Sequence, residues 1–262
     1  MEYGKLIREL DLPGNIPEEL EKRRAMAQAH EEQALLMTDI CTAEAGYKAL
    51  EAALNKDEMD MLACQIWVAA KTRSRWHEKG ISDRIFLDTM GCYRRFLGEA
   101  LKKTGRLYFD RGWWTYRQLS MVLFRVGVLE YELVSGKNEI AVHIPSDAFI
   151  TPANVDASLA QAREFLASVF PDYAESPMTC DSWLLSPELA KLLPEDSRIL
   201  AFQRRFRIEE VFPDAMDCLE WLFSASEKAP LESLPEETSL QRKVKNVLLS
   251  GGKIGIALGV MK

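Results

Sequence analysis

The stretch that most constrains this chain is Val128-Leu-Glu-Tyr-Glu-Leu-Val134, together with the run that returns from it. Leu129, Tyr131 and Leu133 alternate with Glu130 and Glu132, the period of a strand with one buried face. Ser135-Gly-Lys-Asn138 supplies a turn and Glu139-Ile-Ala-Val-His-Ile144 a return strand, so the pair is predicted as a hairpin. Pro145 ends it, and Thr151-Pro152 reads as a cap and first-turn proline of a helix reaching Phe170. Met178 to Leu185 is predicted as a strand and Pro187 to Leu193 as a short helix. Arg198 to Val211 reads as a long strand, with Leu200, Phe202, Phe206 and Ile208 on one face and Gln203, Arg205 and Arg207 on the other. Pro213 to Phe223 is helical, residues 224–239 are a loop, and Val244 to Val260 add a final strand around Gly251 and Gly252. A hairpin feeding strands that alternate with helices implies a mixed sheet covered by helices.

The first hundred residues have a different period. Ala, Glu, Leu, Met and Gln dominate from Pro17 to Leu54 with no further proline, which predicts helix, and Asn55 is its stop. Asp57 opens a second helical stretch through Leu62, Ile66 and Ala69. Ser82 caps a third through Phe86, Met90 and Phe96, closed by Gly105. Arg106 to Asp110 reads as a short strand, Gly112 breaks it, and Thr115 caps a helix that ends at Gly127. The expectation is an α+β chain, with a helical domain over 1–105 and a sheet domain over 106–262.

A chain of 262 residues buries enough surface to need no disulfide or metal for its core. Its net charge of -7 opposes broad nucleic-acid binding, which rests on neutralising phosphates. Five scattered cysteines without a CxxC read as reduced thiols in a cytoplasmic protein. No apolar run reaches membrane-spanning length, and charges in the first ten residues interrupt any signal-peptide core.

Searching for chemistry removes several classes. His30-Glu31 and His77-Glu78 lack the second histidine of a zinc HExxH motif, and neither a GxSxG elbow nor a P-loop is present. Gly251-Gly-Lys-Ile-Gly255 lacks P-loop spacing and reads as a turn. No glycine lies between Gly136 and Gly251, so a phosphate in that span has only a helix start to meet, and the turn before Thr151 is the place. Asp147 opposes a phosphate there, and a plain helix cap explains Thr151 equally. His143 lies opposite Val142 and Ile144 on its strand, as a general base or a structural histidine. Cys180 and Ser182 share a face of the next strand, where Cys180 is a nucleophile or a buried core thiol. Glu130 and Glu132 accept a proton from an ammonium substrate or line a solvated face. Gln203, Arg205 and Arg207 bind an anion or pair with nearby acids. Trp113, Trp114 and Trp183 are large anchors for packing.

Phe109-Asp-Arg-Gly-Trp-Trp114, Phe124-Arg-Val-Gly-Val-Leu-Glu-Tyr-Glu-Leu133, His143-Ile-Pro-Ser146, Cys180-Asp-Ser-Trp-Leu-Leu185 and Phe202-Gln-Arg-Arg-Phe206 together carry a resemblance. The chain resembles a bacterial family of acyltransferases with a helical N-terminal domain and a GNAT-like C-terminal domain. The resemblance implies an acyl-CoA-dependent N-acyltransferase that moves an acyl group to an amine of a small acceptor. Acetyl-CoA or a longer acyl-CoA is then the cosubstrate, without metal, nucleic acid or membrane, and an oligomer is possible. Pantetheine would lie between splayed strands Ile140–Ile144 and Met178–Leu185, with Ile144, Ser146, Thr151, Ala153 and Asn154 at the cofactor. Glu130 or His143 would deprotonate the amine, Cys180 or Ser182 would protonate the leaving thiolate, and Glu132, Trp183, Gln203 and Arg205 would meet the acceptor. The superfamily's Gln/Arg-x-x-Gly-x-Gly/Ala loop is replaced here by Ser146-Asp-Ala-Phe-Ile-Thr-Pro-Ala-Asn154. That departure supports a rival, a GNAT-like binding or regulatory module without catalysis. A Cys180/His143 thiol acyltransferase or hydrolase is the third reading.

Overall fold

The computed structural model describes residues 2–134 and 136–262; Ser135 of the predicted turn lies outside them. The chain forms two compact units that meet in sequence at Val126 and Gly127.

The first unit is helical. Its axis is Glu58–Glu78, whose start is fixed by Asp57, with the carboxylate accepting from the N–H groups of Met59 at 3.0 Å and Asp60 at 2.9 Å. This helix is buried continuously from Met61 to Ala70, so other helices surround it. Trp76, fully buried, meets Phe86 and Phe124 edge-on at 5.2 and 5.7 Å. Buried Gln65 is satisfied on both ends, donating to Gly112 O at 2.9 Å and accepting from Thr115 Oγ1. Gly46 allows a close crossing, because a Cβ there would stand 2.6 Å from Leu36 Cβ. Ser82 caps Asp83–Met90 through Ile85 N, and Gly105 ends Cys92–Thr104 at φ +71, so the two predicted end signals hold.

Several expectations in this unit fail, among them the single helix from Ser82 to Gly105, which the chain breaks at Gly91 into Asp83–Met90 and Cys92–Thr104. Residues 17–54 are not one helix but Ile16–Lys22, Arg24–Ala29, Glu31–Leu35, a 3₁₀ turn Leu36–Thr38, and Ile40–Ala53. The chain pivots at Arg23 and His30 and turns extended at Asp39, so that Leu20, Ala27, Ala34 and Met37 all reach the core; packing overrides propensity. Arg106–Asp110 forms no strand, since Phe109 alone anchors it, against Tyr93 at 5.7 Å. The next helix is Gly112–Leu119 and encloses Thr115; Met121 then takes φ +56, and Leu123–Val126 is a strand, β1.

The second unit holds β2 (Leu129–Val134), β3 (Glu139–His143), β4 (Met178–Ser182), β5 (Phe206–Phe212) and β6 (Ile256–Met261). They lie in the order β2-β3-β4-β6-β5. Only β3 and β4 are parallel, joined by the helix Pro152–Val169. The last strand in the sequence therefore sits inside the sheet, between β4 and β5. Tyr131, Leu133, Ile140, Val142, Met178 and Cys180 share the face under that helix, where Tyr131 Oη meets Ser158 Oγ at 2.9 Å. A second apolar cluster gathers Trp183, Leu189, Cys218, Leu219, Val244, Leu248 and Ile254.

Arg198–Val211 is not one strand. Ser197 accepts from Ile199 N at 3.2 Å and starts a helix, Arg198–Gln203, before β5 begins. Val244–Val260 likewise splits into a helix, Ser239–Leu249, and β6. A reciprocal capping box between Thr238 and Gln241 sets that helix, and a helix start outranks a weak strand pattern.

Candidate active site

The site grows from a mismatch between two strands. β3 and β4 pair only at Ile140↔Met178 and Ala141↔Thr179, although β3 runs on to His143 and β4 to Ser182. Their ladder thus stops while both strands continue, and the facing main-chain edges of Val142–His143 and Cys180–Ser182 make no ladder bonds to each other.

His143 ends β3 at this opening. Its Cα partner across the hairpin is Glu130, and its Nε2 bonds Glu132 Oε2 at 2.8 Å on the diagonal. The pair is part-buried, with side-chain exposures of 29% and 19%. A carboxylate only accepts, so Nε2 is the donor in this bond. Glu130 is buried on the same face. The structure thus places His143, Glu132 and Glu130 on one face, with Glu130 buried where alternation suggested a solvated face.

It does not bring Cys180 to them. The Ile140↔Met178 register sets Cys180 on the helix-covered face with Val142, opposite to His143. Cys180 is buried, and burial first, then Asp181, pushes its thiol upward, the reverse of what a thiolate nucleophile needs. Ser182 shares that face and accepts from Leu184 N at 3.1 Å, starting the 3₁₀ turn Trp183–Leu185. The residue between them was missed in the sequence. Asp181 lies on the face of His143, and burial, with Asp217 and Glu210, raises its carboxyl above the ordinary range. Strand alternation alone would have found it.

The acceptor residues divide. Trp183 packs in the apolar cluster, and Gln203 Nε2 donates to Leu184 O at 2.6 Å and Ser186 O at 3.2 Å, so both hold the fold. Arg205 lies instead at the start of Pro152–Val169, with Nη1 on Asp156 and Nη2 on Pro152 O at 3.2 Å; its buried Nε has no partner. Ile144 and Ser146 open the loop to that helix. Thr151 accepts from Asn154 N at 3.2 Å and Asn154 Nδ2 donates to Phe149 O at 2.9 Å, so these two side chains fix the loop. Ala153 follows Pro152 in the first turn. Among the described residues no cluster has the make-up to hold a metal, and no helix is long and apolar enough to cross a membrane.

Residues 1–121 match the model of an N-acyltransferase N-terminal domain, and residues 101–261 that of a GNAT-like C-terminal domain. Similar solved structures cover 98% of this chain and 86% of their own. An acyltransferase in complex with decanoyl-CoA and teicoplanin is 25% identical with a TM-score of 0.79. One in complex with CoA and 10C-teicoplanin is 24% identical at 0.79, and an acyltransferase mutant in complex with octanoyl-CoA is 24% identical at 0.78. No curated protein matches the chain. With a helical first unit, and a second whose sheet opens between its two parallel strands, the chain belongs to the N-acyltransferase family with a GNAT-like C-terminal domain.

Proposed function

We propose that this protein transfers the acyl group of an acyl-CoA to an amine of a small-molecule acceptor, with His143 as the base and Glu132 as the residue that positions it. The observation that carries this reading is the β3–β4 ladder, which stops after two pairs beside the His143–Glu132 pair.

The residues present fit the cosubstrate. The opened strands offer main-chain donors and acceptors to pantetheine amides, and Arg205 Nε is a buried donor with no partner at the helix start. Val142 to Ile144, Cys180 to Ser182, Ser146 and Ala153 would hold it. Bound acyl-CoA supplies a thioester carbonyl open to attack by a neutral amine, with the CoA thiolate as leaving group. The His143 imidazole takes the proton that the amine nitrogen loses as the N–C bond forms and the C–S bond breaks. Glu132, bonded to Nε2, orients the imidazole and stabilises the imidazolium that results. The Cys180 thiol takes no part in the chemistry. The structural neighbours crystallised with teicoplanin support an acceptor that is a soluble small molecule. All five cysteines are free thiols, which suits a reducing cytoplasmic setting.

Thermal unfolding with CoA, acetyl-CoA, octanoyl-CoA and decanoyl-CoA tests the reading. A ligand at about 100 times its Kd adds about 2.7 kcal/mol, which for a unit of this size is a rise of roughly 5–10 °C. No rise with any of the four would overturn it.

A further inference from the structure

The loop from β3 to Pro152–Val169 has no glycine, and none occurs from Lys137 to Ser250, so a glycine-lined phosphate nest cannot form there. Other groups stand in its place. Phe149 is 59% exposed, yet its backbone is held, since its carbonyl accepts from Thr151 N and Asn154 Nδ2, each at 2.9 Å. The Arg198 guanidinium lies 4.5 Å from the centroid of its ring, so the aromatic side chain is fixed as well as exposed. Across the helix start, Arg205 uses two of a guanidinium's five N–H groups, on Asp156 and Pro152 O. The remaining three include the buried, unpartnered Nε. Asp156 already pairs with Arg205, so what the site offers an anion is the guanidinium's remaining N–H groups beside the helix start.

We infer that Phe149, Arg198 and Arg205 hold the adenosine end of CoA, with the Phe149 ring stacked on adenine and the two guanidiniums on its phosphates. This rests on the reading that the protein uses acyl-CoA, and it assigns to one ring and two arginines the work a glycine loop would do. Stacking of a base on an aromatic ring changes affinity by about 5- to 150-fold. A charge-assisted hydrogen-bond pair to phosphate changes it by about 10- to 150-fold.

Titration calorimetry of the full chain with decanoyl-CoA and with S-decanoylpantetheine, which lacks the adenosine phosphates, separates the outcomes. The wild type is expected to bind decanoyl-CoA at least about 100-fold more tightly. Phe149→Ala should lose about 5- to 150-fold toward decanoyl-CoA and nothing toward the pantetheine ester. Arg205→Gln should lose about 10- to 150-fold toward decanoyl-CoA only, with a shallower salt dependence. Arg198→Gln and Phe149→Ala alter exposed side chains, one at a helix start and one on the loop, so they keep the test open if Arg205→Gln fails to fold. Equal wild-type affinity for both esters, or undiminished decanoyl-CoA binding by Phe149→Ala and Arg198→Gln, overturns this assignment alone. Binding of neither ester removes the acyl-CoA reading with it.

Discussion

The two faces of the second unit's sheet are built from the same strands and have opposite chemistry. Under Pro152–Val169 lie Tyr131, Val142, Met178 and Cys180, all buried. One residue along each strand, on the other face, lie Glu130, Glu132, His143 and Asp181. A thiol and an imidazole on adjacent strands are thus divided by the sheet itself. Position in a two-residue repeat, more than residue type, decides which group is solvated enough to exchange protons and which only fills space.

Five substitutions break or sharpen that contrast. The largest effect belongs to His143→Ala, expected to lower kcat by about 10²–10⁴-fold, or roughly 3–5 kcal/mol of barrier, with the melting temperature nearly unchanged. Glu132→Gln should lower kcat by less and leave KM for acyl-CoA unchanged. If either variant unfolds the protein, the open face is structural after all. Tyr131→Ala on the covered face should do the reverse, costing about 3–5 kcal/mol in denaturant unfolding while the folded fraction keeps its turnover.

Cys180→Ala is expected to keep full activity and cost about 1 kcal/mol. The Cys180 thiol should also resist alkylation in the folded protein at neutral pH, as read by mass spectrometry. Rapid labelling of Cys180 would erase the distinction between the faces. Asp181→Asn should have the smallest effect. Because folding raises this carboxyl, the unfolded chain releases the proton at lower pH than the native one. Stability therefore falls as pH rises from the ordinary aspartate range through the raised value. The asparagine variant should flatten that slope and gain no more than about 0.5 kcal/mol at neutral pH, measured by melting curves across pH.

The hairpin β2–β3 was legible because five residues on one side are apolar and acids alternate on the other. So was the helix at Pro152, whose cap and proline are adjacent in sequence. The segment from Arg198 was not. Phe202 and Phe206 are four residues apart and their rings meet at 5.1 Å, a spacing that fits a helix turn and a strand face alike. Leu123 and Val126 gave the same ambiguity inside a predicted helix. Thr238 and Gln241 carried their capping signal openly, but the Ser-, Glu- and Pro-rich run before them masked it.

For the site, alternation within one hairpin put Glu130, Glu132 and His143 on its polar face, but it did not foretell the bond between His143 and Glu132. Nor did it give the relation of Cys180 to His143, because that depends on the register of two parallel strands joined by an 18-residue helix. A slip of one residue would have placed the thiol beside the imidazole. The opening between those strands is a tertiary property, and no single segment encodes it.

β6 has a consequence for how the protein is made. It is translated after β5 yet lies between β5 and β4, so β5 has no neighbour in the sheet until residues 256–261 emerge. With β5 ending at Phe212, ribosomes at about 5–20 residues per second leave that strand waiting for roughly 2–9 s. Its exposed Ile208, Val211 and Phe212 are then open to chaperones or to wrong partners. The second unit assembles its sheet after its own synthesis is nearly complete, whereas the helical unit has by then had every residue it needs.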